Sequence, residues 1–100
     1  MLGKTDSYET IIPPEVEKQI KKLDRRTQKR VHDRIKDIER DPYSYEQLSG
    51  ILGKYWECHV GGRSSNLLVI YRINDTKIPI ITVGTHKELK KLERYLRSIK

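Results

Sequence analysis

Two histidines and one glutamate are the residues whose types and spacing suit acid–base chemistry. Glu57 and His59 stand two positions apart in the segment Tyr-Trp-Glu-Cys-His-Val, and His86 follows the segment Val-Gly-Thr. Histidine titrates near neutral pH, so one imidazole ring can accept a proton while another donates one. We expect the two histidines on adjacent segments of one sheet. The spacing is not a stringent motif, so two ordinary, partly buried histidines are the competing interpretation.

Basic side chains form a second candidate group. The chain has 21 Lys and Arg against 14 Asp and Glu, a formal net charge of +7, and the excess lies in segments 14–40 and 86–100. This balance suggests an anionic partner, either nucleic acid or a strongly acidic protein segment, although solvated helix faces would look similar. The candidates for holding phosphate or RNA are Arg63, Arg72, Lys87, Lys90, Lys91 and Arg94.

Length and composition narrow the class of protein. One hundred residues predict a single domain over 1–100, and one cysteine, Cys58, cannot form an internal disulfide. No Cys/His spacing matches a zinc site, so we expect no metal and no cofactor. No apolar run is long enough to span a bilayer and the N-terminus is not signal-like, which predicts a soluble, cytoplasmic protein without a membrane partner.

A predicted β-hairpin from Asn66 to His86 positions these residues. Its turn is Asn74-Asp75-Thr76, whose side chains bend the chain by bonding their own backbone. Both arms are apolar on both faces, which places the hairpin at the centre of a sheet. The apolar residues of the arms are Leu67 to Tyr71 and Ile73, then Ile78, Ile80, Ile81 and Val83.

The remaining segments surround this hairpin. Residues 8–12 predict a first strand, 43–54 a loop anchored by Leu48 and Ile51, and 55–60 a half-buried strand. Two short helices between Pro14 and Asp41-Pro42 form an antiparallel pair, the second capped by Asp24. The apolar stripes of the two helices are Val16, Ile20, Leu23 and Val31, Ile35, Ile38, and those of a closing helix are Leu89, Leu92, Leu96 and Ile99.

The predicted order is β-α-α-β-β-β-α. This is an α+β fold, an antiparallel C-terminal sheet with the N-terminal helical hairpin on one face. Strand alternation puts Trp56 and Cys58 on the core face and Glu57 and His59 on the opposite, partly open face. His86 reaches the rim of the same face.

Three segments resemble those of a known superfamily. Trp56 to Val60, Leu67 to Ile73, and Val83-Gly84-Thr85-His86 are similar to the corresponding strands of the RelE/ParE toxins, especially the YafQ branch. That branch has an acidic-x-His-Val segment, a Leu-Ile-Tyr-Lys strand and a Gly-Thr-His ending. The resemblance implies a single RelE-like toxin domain.

The resemblance also implies an activity and partners. Members of the branch are metal-independent endoribonucleases of type II toxin–antitoxin pairs that cut mRNA in the ribosomal A site. Carried over to this sequence, His59 is the base supported by Glu57, and His86 is an acid or phosphate ligand in attack by the RNA 2′-hydroxyl. The two histidine roles are interchangeable at this level. The implied partners are mRNA on the ribosome, ribosomal RNA and an acidic cognate antitoxin.

Two other functions are compatible with the same superfamily. ParE toxins are non-ribonuclease gyrase poisons, which do not require histidines on the sheet face. A detoxified member that only binds its antitoxin is the other, because Glu46 stands where YafQ-like toxins have a histidine and Lys90 where they have an aromatic residue. RelE has an arginine where this chain has Leu68.

Overall fold

The computed structural model describes residues 7–61 and 65–99. The helices are α1 (Pro14–Lys21), α2 (Arg25–Arg40) and α3 (His86–Ser98). The strands are β1 (Glu9–Ile11), β2 (Glu46–Gln47), β3 (Tyr55–His59), β4 (Leu68–Arg72) and β5 (Lys77–Gly84). The α+β fold and the predicted order of elements are confirmed, with β2 as an additional short strand.

The five strands form one sheet in the order β1-β5-β4-β3-β2. β4 is central and every residue from Leu68 to Tyr71 is buried, which confirms the predicted place of the hairpin. Its turn is closed by two backbone hydrogen bonds between Asn74 and Lys77, with Asp75 in the left-handed region at φ 60°. β2 to β5 pair antiparallel, whereas β1 runs parallel to β5.

The paired helices cover one face of this sheet, as predicted. Pro14 opens α1, and the Asp24 carboxylate caps α2 by accepting a hydrogen bond of 2.8 Å from the Thr27 backbone N–H. The two apolar stripes pack on alternate residues of the strands, so the periodicities of helix and strand bury the same core. Its buried members include Val16, Ile20, Val31, Ile35, Ile38, Cys58, Val69, Tyr71, Ile78 and Ile80.

The opposite face, called here the second face, is partly covered by α3. Ile70 pairs with both Glu57 and Thr82, so these three residues share this face. Thr82 lines a groove with Leu92 and Tyr95 of α3, and Ile70 is only 1% exposed. No residue of α3 is fully buried, so this helix rests on the sheet without entering the core.

The prediction of a loop over residues 43–54 is wrong in two details. Glu46 and Gln47 form β2, because the outer edge of β3 offers them backbone partners, and 3₁₀ turns are present at Pro42–Ser44 and Gly50–Leu52. The turn at Gly50 buries Leu52, whereas the predicted anchors Leu48 and Ile51 are only half-buried. No helix within the described ranges combines the length and apolar character that crossing a membrane requires.

Candidate active site

Strand β3 places Glu57 and His59 side by side on the second face. Cys58, between them, points into the core and is 1% exposed, so the strand cannot rotate without losing that burial. Glu57 is 8% exposed and the His59 side chain 26% exposed. The carboxylate is therefore nearly enclosed, while the imidazole ring reaches solvent.

Both ring nitrogens of His59 face oxygen acceptors. Nε2 lies 3.4 Å from Oε2 of Glu57, and Nδ1 lies 3.3 Å from the backbone oxygen of Ser65. A carbonyl oxygen can only accept, so Nδ1 is the donor in the contact with Ser65, and the Glu57 carboxylate lies beside Nε2 as an ionic partner. The site thus orients His59 as a hydrogen-bond donor.

His86 comes to the same place from the end of β5. His59 pairs with Leu68, Leu68 pairs with Gly84, and His86 follows two residues later as the first residue of α3. The ring centroids of His59 and His86 are 6.3 Å apart with the planes tilted by 55°. His86 is exposed, and one small anionic group can contact both rings at this separation.

The sequence predicted the two histidines on adjacent segments of one sheet. In the structure, the strands that lead to them, β3 and β5, are not neighbours. β4 lies between β3 and β5, so the backbones of β3 and β5 are separated by two strand spacings of about 4.8 Å each. The rings meet because both stand at the same end of the sheet, where β5 has ended and α3 begins. That junction, not strand adjacency, brings His86 within reach of His59.

A capping box fixes the first turn of α3. Thr85 Oγ1 accepts a hydrogen bond from the Lys87 backbone N–H, and Glu88 Oε1 accepts one of 3.1 Å from the Thr85 backbone N–H. Gly84 makes room for this arrangement, because a Cβ there would lie 2.8 Å from Cγ and Oε1 of Glu88. Gly84 and Glu88 thereby position the backbone that carries His86.

The basic residues of α3 extend from His86 along the exposed side of the helix. Lys90 and Arg94 stand four and eight positions after His86 and therefore follow it on one side. Lys91 lies 3.9 Å from Glu88, an exposed pair of small energetic value. The exposed cations of this helix predicted from the sequence are Lys87, Lys90, Lys91 and Arg94.

Comparison with known proteins assigns the family. The model described as "ParE toxin of type II toxin-antitoxin system, parDE" matches residues 11–90. The chain belongs to this toxin family. A search of curated proteins finds no match. The membership confirms the predicted RelE/ParE superfamily and makes the protein a toxin of a type II toxin–antitoxin system.

Solved structures share the fold of this toxin. The E. coli toxin RelE, a double arginine-to-alanine mutant in the free state, superposes with a TM-score of 0.71 at 15% identity, covering 94% of this chain and 99% of RelE. The toxin–antitoxin complex RelBE2 from Mycobacterium tuberculosis gives 0.69 at 21% identity, covering 82% and 94%. The YoeB-YefM complex from Staphylococcus aureus gives 0.63 at 17% identity, covering 79% and 97%. At these low identities, the superpositions establish a common fold.

One predicted arginine, Arg72, is not brought to the toxin's histidines. Arg72 pairs with Tyr55 at the opposite end of the β3/β4 ladder from His59 and Leu68. Four residues of strand separate these ends, which is about 13 Å. Arg72 therefore does not share one phosphate with His86, and Arg63 lies outside the described residues.

The sequence prediction missed the residues that position the histidines. The Ser65 carbonyl group beside His59 has no signal in the sequence, because any residue offers a backbone oxygen. The pattern Thr85-His86-Lys87-Glu88, in contrast, is a capping-box signature and was visible. It locates the start of α3 and with it the direction in which His86 leaves the sheet.

Cys58 of the toxin is unsuited to nucleophilic chemistry. Burial raises the pKa of its thiol to about 11, although the Arg34 guanidinium partly opposes the shift. The thiolate is the reactive form, so this thiol is inert near neutral pH. In the described part of the chain, no group of three or more His, Cys, Asp or Glu side chains is arranged to hold a metal ion.

Proposed function

We propose that this toxin is a ribosome-dependent endoribonuclease that cleaves mRNA in the A site by transesterification. The observation that carries this proposal is the pair of imidazole rings 6.3 Å apart, one of them held by a nearly buried carboxylate. Acid–base transfer between two such groups needs no metal ion, and a toxin that acted only by binding would have no use for the arrangement.

In the proposed reaction the RNA 2′-hydroxyl attacks the adjacent phosphorus and the P–O5′ bond breaks. The products are a 2′,3′-cyclic phosphate and a 5′-hydroxyl end. One group must take the 2′ proton and another must give a proton to the departing 5′ oxygen. Cationic donors around the phosphate stabilise the charge that builds up on its oxygens.

The hydrogen bonding supports the exchanged assignment of the two histidine roles, with His59 as acid and His86 as base. His59 donates through Nδ1 to the Ser65 oxygen, and this 3.3 Å contact is long enough for the leaving oxygen to replace it, while the Glu57 carboxylate lies 3.4 Å from Nε2. The His86 side chain forms no hydrogen bond with residues 7–61 or 65–99, so its ring is available to receive the 2′ proton.

The cations of α3 supply the binding energy in this proposal. Lys87, Lys90, Lys91 and Arg94 are exposed beside His86, on a chain of net charge +7. We assign them to phosphates of mRNA and of ribosomal RNA, which makes binding strongly salt-dependent. The same surface attracts an acidic antitoxin in the cytoplasm. Two of the structures with this fold are complexes of a toxin with its antitoxin.

A second candidate is a ParE-like gyrase poison that cleaves no RNA. The observation that favours it is the family model, which is that of ParE toxins. A detoxified toxin that only binds its antitoxin is the third possibility on this fold, since a fold does not fix a function. Neither alternative gives a role to the paired histidines.

Expression of the chain without its antitoxin separates these functions. The ribonuclease predicts growth arrest with new mRNA 5′ ends inside coding regions, at positions set by the ribosomal frame. The gyrase poison predicts DNA damage with intact messages, and the detoxified toxin predicts normal growth. In the first case His86→Ala abolishes the new ends. Growth arrest that persists in the His59→Ala/His86→Ala double variant, with no cleaved message, would rule out the ribonuclease.

A further inference from the structure

We infer that Ser65 is a positioning residue of the cleavage reaction, whose hydroxyl group fixes its own carbonyl group against the ring of His59. The carbonyl group holds the Nδ1 proton of His59 in the place from which it is given to the leaving 5′ oxygen. The inference rests on the proposed ribonuclease function and on the assignment of His59 as the acid. Three hydrogen bonds at the end of the β3/β4 hairpin carry it.

The ring of His59 needs a contact at each nitrogen to be held in one orientation. The torsion about the Cβ–Cγ bond of a histidine has a broad, roughly two-fold preference, so it does not itself select between the ring and its turned-over form. The Glu57 carboxylate lies 3.4 Å from Nε2, and the Ser65 carbonyl oxygen lies 3.3 Å from Nδ1. A turned ring would present carbon atoms to both oxygens, because the flip exchanges Nδ1 with Cδ2 and Nε2 with Cε1. The two oxygens together therefore select the orientation in which Nδ1 donates to Ser65.

The hydroxyl group of Ser65 fixes the direction of this carbonyl group. Ser65 Oγ accepts a hydrogen bond of 3.1 Å from the Leu67 backbone N–H, a short-range bond of the kind that serine makes in turns. The peptide group between Ser65 and Asn66 lies inside the ring of atoms that this bond closes. Its plane cannot rotate freely without breaking the bond, so the carbonyl oxygen stays directed at His59.

Leu67 is itself anchored to the chain that carries His59. Its backbone oxygen accepts a hydrogen bond of 3.0 Å from the N–H of Val60, which directly follows His59 and is buried in the core. The bonds from Val60 to Leu67, from Leu67 to Ser65 and from His59 to Ser65 therefore form a closed set at the end of the hairpin. Any residue at position 65 offers a carbonyl oxygen, but only a side-chain acceptor completes this set.

The position of the Nδ1 proton suits transfer to the leaving oxygen. A contact of 3.3 Å lies beyond the usual range for an N–H···O bond, so it directs the proton without holding it strongly. In the proposed step the P–O5′ bond breaks and the Nδ1 proton passes to O5′. The imidazolium ring becomes a neutral ring that keeps its proton on Nε2, beside the Glu57 carboxylate. The proton that His86 takes from the 2′-hydroxyl balances the one that His59 gives.

A message with a sulfur leaving group tests the inference. In this RNA the 5′ oxygen of the cleaved bond is replaced by sulfur. A thiol ionises at about pH 8.5, so a thiolate leaves without help from an acid. Single-turnover cleavage on ribosomes is compared between the ordinary and the sulfur-linked message. A residue that acts through the acid affects only the ordinary message, whereas a residue needed for the fold affects both.

Matched variants separate the hydroxyl group of Ser65 from its backbone. Ser65→Ala keeps the carbonyl group and loses Oγ, so it should slow cleavage of the ordinary message by about 10- to 100-fold, the effect of a slightly misplaced catalytic group, and leave the sulfur-linked message unaffected. Ser65→Thr keeps a hydroxyl group and should restore most of the rate. Ser44→Ala, which removes a hydroxyl group bonded to the Asp41 backbone, should cleave both messages normally. Thermal unfolding checks that each variant is folded.

The two histidines calibrate this comparison. His59→Ala should show the same pattern as Ser65→Ala with a larger loss, since it removes the acid itself. His86→Ala should slow both messages, because the 2′ proton must be removed from either. Adding Ser65→Ala to His59→Ala should cause no further loss. A further loss in the double variant would show that Ser65 does not act through His59.

Nitrogen-15 NMR of the His59 ring tests the contact without using cleavage. We expect the Nδ1 signal of a protonated nitrogen in the wild type, displaced in Ser65→Ala and unchanged in Ser65→Thr and Ser44→Ala. An undisplaced signal in Ser65→Ala, or equal slowing of both messages by this variant, would overturn the inference. A wild type that cleaves neither message, with an Nδ1 signal that still depends on Ser65, counts against the ribonuclease alone. Normal cleavage of the ordinary message by Ser65→Ala counts against the role of Ser65 alone.

Discussion

Glu57 holds its carboxylate 3.4 Å from Nε2 of His59 while being only 8% exposed. His59 is the one ionic or hydrogen-bonding partner of this carboxylate among residues 7–61 and 65–99. A nearly buried carboxylate is stable only when paired, so the two residues depend on each other structurally as well as chemically. This dependence allows the pair to be tested by stability as well as by activity.

The Glu57 and His59 pair should show coupled effects on stability. His59→Ala leaves the Glu57 carboxylate buried without its partner and should lower the free energy of unfolding by about 1–3 kcal/mol. Glu57→Gln in the same background removes the unpaired charge and should restore part of that loss. Urea unfolding of the wild type, both single variants and the double variant measures the coupling. Additive losses would show that the contact contributes nothing.

His86 should affect cleavage without affecting the fold. Its side chain is exposed, so His86→Ala should leave the unfolding midpoint unchanged and lower single-turnover cleavage of mRNA on ribosomes by about 10²- to 10⁴-fold, the usual effect of a positioned acid or base. His32→Ala, which removes an exposed histidine on α2, is the matched control and should cleave normally. Normal cleavage by His86→Ala would exclude it from the reaction.

Gly84 should contribute to stability because it leaves room for the Glu88 side chain that caps α3. A methyl group at Gly84 meets Glu88 atoms at 2.8 Å and disturbs the cap of α3, so Gly84→Ala should destabilise the protein by about 1 kcal/mol and slow cleavage. Glu88→Ala removes the obstructing side chain. Gly84→Ala should therefore cost much less in a Glu88→Ala background, as measured by thermal unfolding. An equal cost in both backgrounds would place the role of Gly84 elsewhere.

Local periodicity was sufficient to predict most of the fold. The stripe from Val31 to Ile38, the Asp24 cap and the apolar hairpin are each encoded within a few residues, and all three are confirmed. Strand β2 was not predictable in this way, because two residues carry no pattern and its pairing is decided by the free edge of β3. The parallel pairing of β1 with β5 is likewise a long-range contact.

The candidate site was only partly predictable for related reasons. A period of two places Glu57 and His59 on one face from the sequence alone. The approach of His86 depends on the strand order and on the angle at which α3 leaves the sheet, which no local pattern specifies. The remoteness of Arg72 follows from the antiparallel register of β3 and β4, in which residues near the connecting loop pair at one end and Arg72 at the other.

Ile35 tests the packing of α2 on the sheet. It is 4% exposed within the core, so Ile35→Ala should lower the free energy of unfolding by about 2–5 kcal/mol through lost burial and a cavity. Lys36→Ala, at the next and exposed position, is the control for helix propensity and should change stability by less than about 0.5 kcal/mol. Urea denaturation compares the two, and similar small losses would mean that Ile35 does not face the core.

The buried thiol of Cys58 should make the stability of the folded protein decrease at alkaline pH. Burial raises the pKa of the folded-state thiol from an ordinary value of 9.0 to about 11, so between these values the unfolded chain loses the proton first. The unfolded state then binds fewer protons than the folded state, and stability must fall as the pH rises through this window. Burial also raises the pKa of Tyr71, which adds a loss of stability in the same direction at higher pH.

Cys58→Ala removes only the thiol contribution. The stability advantage of the wild type over Cys58→Ala should therefore be constant below about pH 8 and shrink towards pH 11, as measured by urea unfolding under reducing conditions. An advantage that stayed constant over the whole range would show that the folded thiol ionises as readily as the unfolded one.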